Sequence, residues 1–195
     1  MPREQQLSVY SIGHSTRTLD EFVQLLKTYR VSIVVDVRTI PRSRHNPQFN
    51  KDTLPESLKA HALRYIHMPE LGGLRRSGAD SVNIAWENKS FRGYADFMQT
   101  KEFADNLLGL ISLAQHDAVA IMCAEAVPWR CHRSLIADAL AARNICIRHI
   151  LTETSILDHE LTPFSQVEGS KVTYPLYAKE KAQKTLSDFG APTTS

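Results

Sequence analysis

Residues 7–39, LSVYSIGHSTRTLDEFVQLLKTYRVSIVVDVRT, carry two strands and the helix between them. LSVYSIGH (7–14) is a short apolar run that stops at Gly13-His14, as strands do at a turn. LDEFVQLLKTYR (19–30) repeats its apolar residues at helical spacing, at Leu19, Phe22, Val23, Leu25, Leu26 and Tyr29, with Ser15 or Thr18 available to cap it. VSIVVDVRT (31–39) is β-branched and almost unbroken in apolar residues up to Asp36, the pattern of a parallel strand covered on both faces. Strand, helix and strand make a β-α-β unit.

The same alternation continues downstream. IPRSRHNPQFNKD (40–52) reads as a loop, LPESLKAHAL (54–63) as a short helix and RYIHMP (64–69) as a strand. The stretch 71–93 is a loop longer than the roughly 12–15 residues that structureless connections usually span, which points to a functional role. Residues 94–115 are helical with a break near Thr100, 118–125 form an apolar strand, 130–144 a helix stopped by Asn144, and 145–150 a last strand. The expected fold is α/β: an open, mostly parallel, five-stranded, Rossmann-like sheet with helices on both faces. Residues 1–151 form that domain, and 152–195 a small C-terminal extension with a hairpin around Glu168-Gly169 and a frayed end over 181–195.

Composition narrows the classes. The chain has 195 residues, 43% of them hydrophobic, which is ordinary for one globular domain. It lacks an apolar run long enough to span a membrane and a secretory leader, so a cytoplasmic location and no membrane partner are expected. Three cysteines without a leader argue for reduced thiols. A net charge of +2 does not by itself call for nucleic acid, so the position of the basic residues matters more than their sum.

Ligands of open parallel sheets bind beyond the carboxyl ends of the strands. His14, Asp36, Arg38, Cys123 and Glu125 all fall at such ends. With the strand order 3-2-1-4-5, His14 would face Cys123 and Glu125, with Asp36 one strand away. Arg42, Ser43, Arg130 and Arg133 lie on the loops of the same edge, and the segment 128–133 opens a helix whose free N–H groups favour an anion and a thiolate. His14, Asp36, Cys123 and Glu125 are therefore the catalytic candidates. Ser15, Arg38, Arg42, Ser43, Arg130, Cys131, His132 and Arg133 are the ligand-binding candidates.

Each has a plainer reading. Cys123 suits the core as well as a nucleophile's place, Cys146 between isoleucines reads as filler, His14 can cap a turn, and Asp36 can pair with Arg38. The spacing of Cys123 and Arg130 misses that of a cysteine phosphatase loop, and Cys123-Ala-Glu125 lacks the paired cysteines of a zinc deaminase. Neither a metal nor a cofactor is assigned.

The chain also carries Gly13-His14-Ser15, Asp36-Val37-Arg38 with Pro41 and Ser43, and Asn46-Pro47-Gln48-Phe49-Asn50. Leu71-Gly72-Gly73, the run Phe91 to Met98, Cys123-Ala124-Glu125 and Cys131-His132-Arg133 follow in order. Together these resemble, over residues 9–150, the bacterial and archaeal family of domain of unknown function 488, with His159 to Phe164 fitting one branch. The chain departs from that pattern at Pro128. The resemblance implies an α/β fold and brings no activity with it. From the residues, the expected function is that of a small hydrolase or group transferase acting on a phosphate-bearing, nucleotide-like ligand at a cationic cleft. The alternatives are a non-catalytic nucleic-acid-binding module and a metal-binding protein using Cys123, Cys131, His132 and His14.

Overall fold

The structure is a computed structural model, which describes residues 6–179; the segment 181–195, expected to fray, lies outside the described residues. In chain order the elements are β1 (Ser8–Gly13), α1 (Leu19–Thr28), β2 (Ile33–Asp36), α2 (Leu54–Lys59), β3 (Arg64–His67), α3 (Lys89–Phe97) and α4 (Lys101–Ala114). They continue with β4 (Val119–Cys123), α5 (Arg133–Ala141), β5 (Cys146–Ile150), β6 (Ile156–Asp158), β7 (Gln166–Glu168) and β8 (Lys171–Thr173). The central sheet runs β3-β2-β4-β1-β5-β6, with the first five strands parallel and β6 antiparallel to β5.

Local chemistry accounts for most boundaries. Thr18 and Glu21 close a capping box on α1. Thr100 caps α4, so the helical stretch breaks where expected. Asn144, at φ 59°, turns the chain after α5, in the left-handed region that asparagine tolerates better than most residues. Gly169, at φ 60°, turns the β7–β8 hairpin.

Two features of the sheet differ from the expectation, and α3 begins at Lys89, inside the stretch read as a loop. The sheet gains a sixth strand because residues 156–158, inside the C-terminal extension, pair with β5. The order also exchanges β1 and β4: β4 pairs with both β1 and β2, so the crossover through α1 passes over it. VAIMC, buried at every position, takes the interior place that such an apolar strand needs.

The strands alternate between two cores. Val9, Ile33, Val35, Val119, Ile121 and Cys123 face the side that carries α3, α4 and α5, while Ile12, Val34, Ala120 and Met122 face α1 and α2. α5 is buried on nearly every side, from Arg133 to Leu140. It is covered in part by the C-terminal segment, whose Val172 and Tyr174 join the core. Among the described residues, no helix is long and apolar enough to cross a membrane.

A carboxylate inside such a helix needs partners. Asp138, fully buried, accepts hydrogen bonds from His159 Nε2, from the Thr162 backbone and hydroxyl, and from Tyr174 Oη. It thereby fastens α5 to the C-terminal segment. Asp138→Ala leaves these donors buried and unpaired, so urea unfolding should register a loss of about 3 kcal/mol or more. A loss below about 1 kcal/mol would mean that the segment is held mainly by apolar packing.

Candidate functional site

Register brings three strand ends to one rim, with Gly13 opposite Cys123 and Asp36 opposite Met122. The chain leaving β4 crosses directly over the end of β1: His14 N donates to Cys123 O at 2.9 Å and Ser15 N to Ala124 O at 2.9 Å. A Cβ on Gly13 would stand 1.8 Å from Glu125 O, so this crossing requires glycine.

At the β2 end, Arg38 forms a forked pair with Asp36, Nε to Oδ1 at 2.8 Å and Nη2 to Oδ2 at 2.6 Å. Asp36 is fully buried and also accepts from Tyr65 Oη at 2.8 Å. His14 lies against the same guanidinium, its Nε2 3.1 Å from Arg38 Nη1. Because Arg38 can only donate, Nε2 bears the lone pair and Nδ1 the proton, which is given to Ser15 O at 2.9 Å. The ring stacks on Phe49, with centroids 4.3 Å apart. Burial first, and then the charge of Arg38, lower its pKa from 6.5 to about 4, against a raising contact to Ser15.

At the β4 end lies the second guanidinium. Arg133, 1% exposed, donates from Nε to Cys123 Sγ at 2.9 Å, from Nη1 to Ser11 Oγ at 2.9 Å and from Nη2 to Glu125 O at 2.6 Å. Glu125 thus offers its carbonyl to the cation, while as a residue it is exposed. Cys123 Sγ is 2.7 Å from Cys131 Sγ, and Cys131 Sγ is 3.5 Å from His132 Nδ1. His132 Nε2 donates to Val37 O at 3.0 Å, which leaves Nδ1 free to exchange a proton with Cys131.

The two thiols are shifted in opposite directions. Burial and the hydrogen bond to Cys131 push the Cys123 thiol well above the usual range. Burial resists ionisation of Cys131 too. There, hydrogen bonds from Cys123 and His132, together with the His132 and Arg133 charges, outweigh it and hold the thiol well below that range.

Two adjoining cavities open over this rim. One, of about 340 Å³, is lined by Arg38, Cys123, Glu125, Arg130, Cys131 and His132, and is walled by Gly73, Leu74, Ser90 and Phe91 of the long loop and the start of α3. The other, of about 430 Å³, is lined by His14, Ser15, Arg38, Arg42, Ser43 and Glu125 among others. Every candidate residue except Asp36 and Arg133 lines one of the two, and those two lie buried beneath.

The structure adds what spacing could not. Cys131 rather than Cys123 has the low-pKa thiol, and His132 sits beside it. Gly73 also presses on that imidazole, since a Cβ there would stand 2.6 Å from His132 Nδ1. The Leu71-Gly72-Gly73 motif was a signal for it, but not for its partner. His14 turns its Nε2 to Arg38 rather than to the sulphurs. Among the described residues, no group of three or more His, Cys, Asp or Glu is disposed to hold a metal ion.

Buried neutral imidazoles tie stability to pH. His14 is lowered to about 4, and His149 to about 3, chiefly by burial and then by the charges of His159 and Arg133. The unfolded chain therefore takes up protons near pH 6.5 that the folded chain refuses, and stability is lost as pH falls from about 6.5 towards 4. NMR at pH 5.5 should find both rings neutral, with His14 as the Nδ1–H tautomer. A protonated His14 at that pH would contradict the Arg38 contact.

Searches of curated proteins and of solved structures return no match to the chain. The family model described as domain of unknown function DUF488 matches residues 18–140. That span holds β2, β4, the Arg38 pair and the sulphurs of Cys123 and Cys131, and by it the chain belongs to the DUF488 family.

Proposed function

We propose that the protein is a small thiol-dependent enzyme, a hydrolase or group transferase, acting on a phosphate-bearing, nucleotide-like ligand in the paired cavities. The observation that carries this reading is the Cys131 sulphur, 3.5 Å from His132 Nδ1 on a cavity wall, in surroundings that hold its pKa well below the usual range. Cys131 attacks the group to be transferred, and the bond to the ligand's leaving oxygen breaks. That oxygen takes its proton from His132, with Glu125 at the mouth of the cavity beside it. In a hydrolase, water then frees the group from sulphur.

The other candidates support this centre. Arg130 and Arg42 are exposed and line the two cavities, so they are the guanidiniums free to grip a phosphate. Ser15 and Ser43 add hydroxyl groups to the wall. Asp36, committed to Arg38 and Tyr65, and His14, committed to Arg38 and Ser15, suit positioning rather than proton transfer. The inward commitment of Arg38 and Arg133 also favours this reading over a nucleic-acid module, which needs its cations turned outward to a backbone.

Two measurements test the proposal. Iodoacetamide is small enough for the cavity, and at pH 6 it should alkylate Cys131 at least about tenfold faster than Cys146. A Cys131 rate that climbs with pH as for an ordinary thiol near 8.5 would remove the nucleophile. Inorganic pyrophosphate should raise the thermal midpoint of the wild type but not of a variant with Arg42→Ala and Arg130→Ala. Absence of any shift in the wild type would remove the phosphate.

A further inference from the structure

We propose that Cys123 and Cys131 are a dithiol–disulfide couple that exchanges with low-molecular-weight disulfides entering the cavity. This goes beyond the transfer reading: it gives Cys123 a chemical part and needs no phosphorylated ligand. The two readings share the Cys131 sulphur and the cavity that it lines.

The chain brings the pair together from two rigid elements. Cys123 is the last residue of β4, which is paired on both sides, and Cys131 stands just before α5, after the short 3-10 turn Pro128–Arg130. Their sulphurs are 2.7 Å apart and both residues line the cavity. A bond between them therefore requires little movement of either element. Cys146, on β5, is not among the residues lining it and provides an internal control.

The exchange is balanced as follows. The Cys131 thiolate attacks one sulphur of a disulfide R–S–S–R, forming a mixed disulfide and expelling RS⁻. Cys123 loses its proton to solvent, by way of the vacated Cys131–His132 contact, and its thiolate attacks Cys131 Sγ. A second RS⁻ leaves as the Cys123–Cys131 bond forms. Two electrons pass from the protein to R–S–S–R; the two RS⁻ become two RSH with the one proton released from Cys123 and a second taken from solvent. Arg133, with Nε on Cys123 Sγ, stabilises the charge while Cys123 is the attacking thiolate.

The buried guanidinium also sets the direction in which the couple leans. In the dithiol form the sulphur pair supplies Arg133 with its counter-charge, and a disulfide supplies none. A charge 1% exposed is costly when unpaired, so the reduced form is favoured and the disulfide is an easily reduced one.

The test uses oxidised glutathione on the native chain, followed by alkylation in acid and tryptic mass mapping. Trypsin cuts after Arg130, which leaves the two sulphurs on different peptides. The wild type should yield a Cys123–Cys131 cross-link with two hydrogens lost, reversed by reduced glutathione, while Cys146 remains free. In Cys123→Ala, glutathione should be trapped on Cys131. Recovery of both cysteines as free thiols, glutathione retained on Cys131 of the wild type, or a cross-link to Cys146 would each overturn the proposal. Because the wild type alone decides these outcomes, a variant that fails to fold does not affect them. A cross-link in a protein whose Cys131 alkylates slowly at pH 6 would support the couple and count against the transfer reading.

Discussion

A guanidinium buried beneath the strand-end rim of an α/β sheet is the constraint around which the site is organised. Arg133 cannot give up its proton, so the charge must be matched where it stands. Its direct contacts are a thiol sulphur, a hydroxyl and a carbonyl. The sulphur pair lies beside it, and although burial opposes ionisation of Cys131, hydrogen bonds from Cys123 and His132 and then the charges of His132 and Arg133 hold that thiol well below its usual range. The acidity of the Cys131 thiol is thus tied to charges held in the core, and α5 supplies one of them from its first residue.

The second buried guanidinium, Arg38, solves the same problem in another way. Asp36 matches it with a carboxylate, and His14, kept neutral by burial, fills its remaining side. One rim therefore holds a cation paired with a carboxylate and a cation in contact with a thiol sulphur. The exchange of β1 and β4 makes this possible. With β4 between them, the ends of β1 and β2 flank Cys123, and the loop after β4 bridges both clusters. Asp138 performs a comparable service on the far side of α5, where one buried carboxylate collects donors from residues 159–174 and fixes the helix that carries Arg133.

Much of this could be read from residue order, because some signals are local. The helix over residues 19–28 follows from its apolar spacing and its Thr18 cap, the break at Thr100 from another cap, and the turn at Asn144 from a residue that tolerates the left-handed region. Likewise, the polar residues after β1, β2 and β4 announce a rim, since parallel strands in register must end together. The short strand at 156–158 was not legible, because three residues carry no period and pair only when β5 is already beside them.

The sequence by itself determined the class of fold, the strand-end location of the candidate site and the residue types that gather there, since these depend on neighbours a few residues apart. Only the tertiary structure decided the order of the strands, which of the two thiols is the more acidic and which imidazole lies beside it. Those outcomes depend on contacts across the chain, such as His132 with Val37 and Arg133 with Ser11, and on how deeply each charge is buried. Burial is a property of the assembled core, and no residue's own neighbours in sequence can state it.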